Sequence, residues 1–176
     1  LMQAAEGARL VTLSSTGHKI SGIRWDDIHF NDSEYEKWAA YGQSKTAASL
    51  LAIEVDKRMK DSGIRAFGVH PGGIMTPLQR HLEQEEMVAL GWMDKDGQPT
   101  ERVAKMFKTA TQGASTSLWA ATSPQLDNIG GVYCENCEVA APTDDSENAR
   151  FIGVNDWAID SEEASRLWDE TERMLS

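Results

Sequence analysis

Two short β-branched runs with a long helical pattern between them constrain the fold most. Residues 8–15, "ARLVTLSS", lie between Gly7 and Gly17, and such a run predicts a buried strand. A polar loop follows. Residues 36–60 then place Ala47, Leu50, Leu51, Val55 and Met59 at helical spacing, with Arg58 and Lys60 at the negative end and Gly63 as a stop. Residues 64–70, "IRAFGVH", predict a second strand, broken by "PGGIMTP". Residues 79–90 predict a short helix, 94–100 a turn and 101–122 a longer helix. Residues 130–140, "GGVYCENCEVA", predict a third strand with a glycine lead-in. Residues 142–148 predict a solvated loop and 157–175 a terminal helix, its main part capped by Ser161. Strands that alternate with helices argue for right-handed crossovers and a parallel sheet. The fold class is therefore α/β.

Composition limits the partners. The net charge of -11 disfavours tight binding to nucleic acid. No apolar run approaches the ~20 residues needed to span a bilayer as a helix, so no transmembrane segment is expected in this chain. The start, "LMQAAEGARL", has neither signal-peptide nor transit-peptide character and no methionine at position 1. That fits a fragment or a chain whose start was not captured. Cys134 and Cys137 form a lone C-x-x-C. Structural zinc takes four ligands, and no second pair or suitably spaced histidine accompanies them. They read as two reduced cysteines at a strand end, with no metal site. This usage suits a reducing compartment, and the expected location is cytoplasmic.

The chemistry sits in "YGQSK". Tyr41 and Lys45 are four residues apart, so they share a helix face. A free phenol has a pKa near ~10 and is a poor base. An ammonium one turn away favours the phenolate. The pair can then act as a general acid/base toward a hydroxyl or carbonyl. Alone, Y-x-x-x-K is a weak signal that a solvent-facing pair explains equally well. Here a strand ending in "LSS" precedes it and one ending in "HPGG" follows. In a parallel sheet both ends lie at the carboxyl edge, where open α/β folds bind ligands.

The ordered motifs "VTLSS", "YGQSK" and "VHPGGIMTPL" resemble the C-terminal portion of a short-chain dehydrogenase/reductase. The insert "GIRWDDIHF" and the tail "GGVYCENCEVAAP" are similar to the retinol dehydrogenase-like branch. The resemblance covers nearly the whole chain. It implies a single incomplete Rossmann-type domain over residues 1–176, the C-terminal half of a doubly wound parallel sheet with three strands and flanking helices. It further implies NAD(P)-dependent oxidoreduction between an alcohol and a carbonyl, with NADP slightly preferred over NAD. By position, Ser15 (preferred to Ser14) would bond the substrate oxygen and Tyr41 would pass the proton. Lys45 would hold the nicotinamide ribose. Pro71, Gly72, Ile74 and Thr76 resemble the segment that wraps the nicotinamide. His70 reads as a strand-end residue near the site. Leu78, Leu82, Met87 and Trp92 read equally as the lining of a substrate pocket or as an amphipathic lid helix, and with the branch resemblance the apolar lid points to a small lipophilic alcohol, ketone or aldehyde.

The family's glycine-rich turn, of T-G-x-x-x-G-x-G type, does not occur in this sequence, nor does its N-N-A-G segment or its helix asparagine. The N-terminal nucleotide-binding half is thus expected to be absent from this chain. Two expectations follow. The chain alone binds no dinucleotide tightly and is inactive. It is either marginally stable or self-associates through the exposed edge of its first strand. The alternative is a non-catalytic truncated gene product acting as an interaction module.

Overall fold

The computed structural model describes residues 2–5, 7–144, 146 and 149–176, so the predicted loop 142–148 lies partly outside the described residues. The sheet has four strands: β1 (Ala8–Leu13), β2 (Ile64–His70), β3 (Val132–Glu135) and β4 (Glu138–Val139). Their order is β1-β2-β3-β4. β1 and β3 both pair parallel to β2, in the registers Ala8↔Ile64 and Phe67↔Val132. β4 returns antiparallel on β3. The predicted third strand is therefore two strands. Asn136 and Cys137, at φ 52° and 60°, form the turn between them. Positive φ at both central residues matches the twist a two-residue hairpin needs.

Alternation along β2 divides the core between two layers. Ile64 and Ala66 face helix α1 (Lys37–Met59), where Ala52 and Val55 are buried. Phe67 and Val69 face α4 (Ala110–Thr122), where Ala120 and, from the 3-10 turn Pro124–Leu126 after it, Leu126 close a second cluster. α5 (Ser161–Leu175) packs on the outer side of α1, with Ala164 against Leu50 and Ile53. β2 is thus covered on both faces, as its near-continuous apolar run requires. At Gly68 an added Cβ would lie 3.3 Å from the Ser49 Cα, so α1 comes close to the sheet there. At the far end Arg65 donates to both Asp56 carboxylate oxygens, at 2.8 and 3.1 Å, and the Ala66 amide donates to Asp56 at 3.0 Å. These bonds compensate a buried carboxylate and tie the end of α1 to β2.

Elsewhere the elements are shorter than their periodicity. The predicted helix 79–90 is a 3-10 turn, Pro77–His81, followed by α2 (Gln84–Ala89). The predicted helix 101–122 is split into α3 (Glu101–Met106) and α4. The break exists because Lys108 donates its backbone N–H to Gly73 O at 2.8 Å and bridges Ile74. Thr109 and Gln112 then form a capping box that restarts the helix. The terminal helix is preceded by a 3-10 turn, Asp156–Ala158, and its cap is Asp160 rather than Ser161. The Asp160 carboxylate accepts from the Glu162 and Glu163 amides, a stronger cap than a hydroxyl.

Candidate active site

Helix α1 begins with Glu36 as its cap; its carboxylate accepts from the Trp38 and Ala39 amides. That start places Tyr41 and Lys45 in the second and third turns, facing the carboxyl end of β1. Two hydroxyls fix the helix against the strand. Thr12 donates to Ala48 O at 2.7 Å, and Ser14 donates to Lys45 O at 2.7 Å. Ser14 is buried and bound to the backbone, whereas Ser15 is half-buried. The Ser15 hydroxyl oxygen accepts the Gly17 amide at 3.0 Å. One of its lone pairs is filled, and its proton is free to be donated elsewhere.

Two glycines let the serine loop touch the helix. A Cβ at Gly17 would lie 2.4 Å from Tyr41 Cε1 and 3.4 Å from Ser15 Oγ. A Cβ at Gly42 would lie 3.0 Å from Gly17 O. The Tyr41 ring therefore rests on the bare Cα of Gly17, next to Ser15. Trp38 holds the other side of the ring edge-on, with centroids 6.1 Å apart. The Tyr41 hydroxyl has no hydrogen-bond partner among the described residues.

The Lys45 Nζ lies 5.5 Å from the Tyr41 ring centroid and donates to Leu13 O at 3.1 Å. Burial pushes its pKa below the ordinary lysine value. An ammonium carries three donors, and one is used among the described residues. Ser15, Tyr41 and Lys45 are thus brought together at the carboxyl edge of β1.

Pro71 and Gly72 follow β2 directly, so they sit at the same edge on the neighbouring strand. Gly72 has φ 96°, and a Cβ there would meet Lys108 Cδ at 2.8 Å. The positive φ is what requires glycine in this turn, since the flexible Lys108 side chain can move aside. Ile74 turns against α4, where Gly113 makes room for its Cδ1. Thr76 lies further along. Its hydroxyl accepts the Leu78 amide and donates to Gln79 Oε1, capping the 3-10 turn. Leu78, expected in a lid, is exposed. Trp92 packs edge-on against Phe107.

Sequence reasoning missed Gly17, Gly42, His18, Lys19 and Tyr133. His18 is fully buried between the serine loop and β3. Lys19 donates to Thr143 Oγ1 at 2.8 Å, Ala149 O at 2.5 Å and Ile152 O at 2.6 Å, holding the returning segment. The Tyr133 hydroxyl lies 3.3 Å from His18 Nδ1, and burial beside the Glu135 charge raises its pKa. The only available signal was adjacency: His18 and Lys19 stand three and four residues after Ser15. His70 ends β2 with Nδ1 buried and unpartnered among the described residues. Both cysteines are free, Cys134 buried and Cys137 exposed. Among the described residues no cluster of metal-ligating side chains occurs, and no helix is long and apolar enough to cross a membrane.

A parallel α/β sheet with serine, tyrosine and lysine gathered at its carboxyl edge defines a class, a Rossmann-type fold seen in part. Comparison with known proteins agrees. No family model matches the chain. It is 36% identical over 169 residues to the short-chain dehydrogenase/reductase prx1 of Penicillium roqueforti, a match spanning 96% of this chain and 47% of that protein. It is 29% identical over 174 residues to retinol dehydrogenase 13 of Mus musculus, spanning 99% of this chain and 47% of that protein. The crystal structure of an uncharacterized protein from Mycobacterium paratuberculosis superposes with a TM-score of 0.59 at 23% identity, covering 95% of this chain and 50% of that one. The chain fits the C-terminal portion of a short-chain dehydrogenase/reductase. It spans about half the length of the curated relatives it matches.

Proposed function

We propose that this chain is the catalytic and substrate-binding half of an NAD(P)-dependent oxidoreductase that interconverts an alcohol and a carbonyl. The observation that carries the reading is the meeting of Ser15, Tyr41 and Lys45 at one sheet edge, with the Lys45 ammonium over the Tyr41 ring. The residues present fit a nicotinamide nucleotide. Lys45 has spare donors, suited to ribose hydroxyls, beside Tyr41. The turn of Pro71, Gly72 and Ile74 leaves β2 at the same edge as Lys45, and Thr76 caps its continuation. When bound, the nucleotide supplies or accepts the hydride. The chain's own groups do the rest. Ser15 donates to the substrate oxygen, Tyr41 passes a proton to or from that oxygen, and Lys45 holds the ribose and keeps positive charge near the phenol.

Residues 1–176 form one incomplete Rossmann-type domain in this reading, inactive without a nucleotide-binding half. The substrate is a small lipophilic alcohol, ketone or aldehyde, NADP is preferred to NAD, and the location is cytoplasmic. The test uses the protein expressed from its complete reading frame, assayed with NADP(H) and NAD(H) on a panel of lipophilic alcohols and aldehydes. Tyr41→Phe should lower turnover by at least about 100-fold and leave coenzyme binding within about twofold. A Tyr41→Phe protein with most of its turnover would remove Tyr41 from this role.

A further inference from the structure

We propose that His18 is the positioning residue for Ser15, acting as a neutral imidazole that carries its proton on Nδ1 and holds the serine loop in place. The inference rests on the role of Ser15 given above. His18 belongs to the 3-10 turn Thr16–Lys19 and is fully buried. Its Nε2 lies 3.1 Å from the Asn155 backbone nitrogen. An amide N–H can only donate, so Nε2 accepts and carries no proton. The ring proton is therefore on Nδ1. Nδ1 lies 2.6 Å from Ser15 O, and the same carbonyl accepts the His18 backbone N–H at 3.0 Å. Ser15 is thus tethered at both ends of its residue: its carbonyl by His18 and its hydroxyl oxygen by Gly17.

The imidazole reaches well beyond its own turn. The Tyr133 hydroxyl on β3 lies 3.3 Å from Nδ1, with ring centroids 5.1 Å apart. The His18 carbonyl accepts from Trp157 Nε1 at 3.0 Å, while Thr46 Oγ1, 3.2 Å away, gives its one proton to Ser21 O at 2.7 Å. One side chain and its carbonyl therefore connect the serine loop to β3 and to the segment around 155–157. A second ring proton would place an N–H against the Asn155 N–H, donor facing donor. The surroundings disfavour that state. Lys19 on the same turn is cationic, and His70 on β2 is close enough to interact by charge. Burial lowers the His18 pKa to about 4.

The test separates three substitutions in the protein expressed from its complete reading frame. His18→Ala should lower kcat roughly 100-fold, the cost of a loosened reacting group, with the coenzyme KM unchanged within about twofold. His18→Asn puts an amide N–H where Nδ1–H stood and should recover kcat to within about tenfold of the parent. His18→Gln can reach only the Nε2 position and should remain as impaired as His18→Ala. Equal kcat for the Asn and Gln variants, or full kcat in His18→Ala, overturns the proposal. Tyr41→Phe is the control. If it stays active the function itself is wrong; if it is inactive while His18→Ala is active, only the role of His18 falls. A second readout needs neither activity nor a variant. Nitrogen-15 NMR of the parent protein at pH 7 should show His18 protonated on Nδ1 and bare on Nε2, unchanged down to about pH 5. An Nε2–H tautomer, or a ring titrating near its ordinary value, overturns the proposal equally.

Discussion

Tyr41 is useful only where its ring lies, and Gly17 sets that place. A methyl at position 17 would stand 2.4 Å from Tyr41 Cε1, far inside van der Waals contact. The ring is backed by Trp38, so it cannot yield without leaving its place beside Ser15. Gly17→Ala should therefore cost about 1–3 kcal/mol of stability, as overpacking does. Its turnover should fall about 100-fold for a displacement near 1 Å. Steady-state kinetics on the folded variant checks this, and parental turnover would contradict it. That Tyr41, Lys45 and Ser15 meet at one sheet edge was legible because i,i+4 spacing and a strand end are local properties. Gly17 and Gly42 were not. A glycine's need is set by what approaches it, and here the approach comes from an element distant in sequence.

The same division holds for whole elements. β2 was read with its true limits, since an apolar run between Gly63 and a Pro-Gly turn leaves few alternatives. The helix 101–122 was read as continuous because its apolar periodicity runs through Phe107. Yet Gly73 O draws the Lys108 amide out of the helix, and the Thr109–Gln112 box makes the restart cheap. The hairpin β3–β4 was hidden because its turn is "NC", without the glycine that usually marks two left-handed residues. Cys137 holds φ 60° at a steric cost. Cys137→Gly should therefore raise stability by about 1 kcal/mol, the relief of that strain less the entropy of glycine. Urea unfolding of parent and variant measures it, and a lower midpoint for the glycine variant would contradict the strain.

Across the whole molecule, one fully buried histidine, His18, and one half-buried, His70, tie stability to pH. Burial is the main cause that lowers both His18 and His70 from 6.5 to about 4. Between those values the unfolded chain binds the extra protons, so unfolding is favoured as pH drops. Stability should be complete above pH 6.5 and fall as pH approaches 4, by at most roughly 3 kcal/mol for each histidine. Urea midpoints at pH 7.5 and 5 test this, with His18→Asn expected to show the smaller drop; equal midpoints in the parent would refute it. Association is the second property at this scale. β1 pairs with β2 alone among the described residues, and Leu13 at its end is 53% exposed. An apolar edge strand of this kind recruits another strand. The 176-residue chain should sediment as a concentration-dependent oligomer, and a monomer at all concentrations would argue against the edge.

By itself the sequence determined the alternation of strands and helices, the parallel sheet and the face shared by Tyr41 and Lys45. Each of these is written in spacings of two to four residues, which backbone geometry converts directly into direction. Only the tertiary structure decided where the helices break, which glycines must stay bare, and that His18 holds Ser15. Those outcomes depend on contacts such as Asn155 to His18 and Gly73 to Lys108, between residues that the chain brings together only by folding.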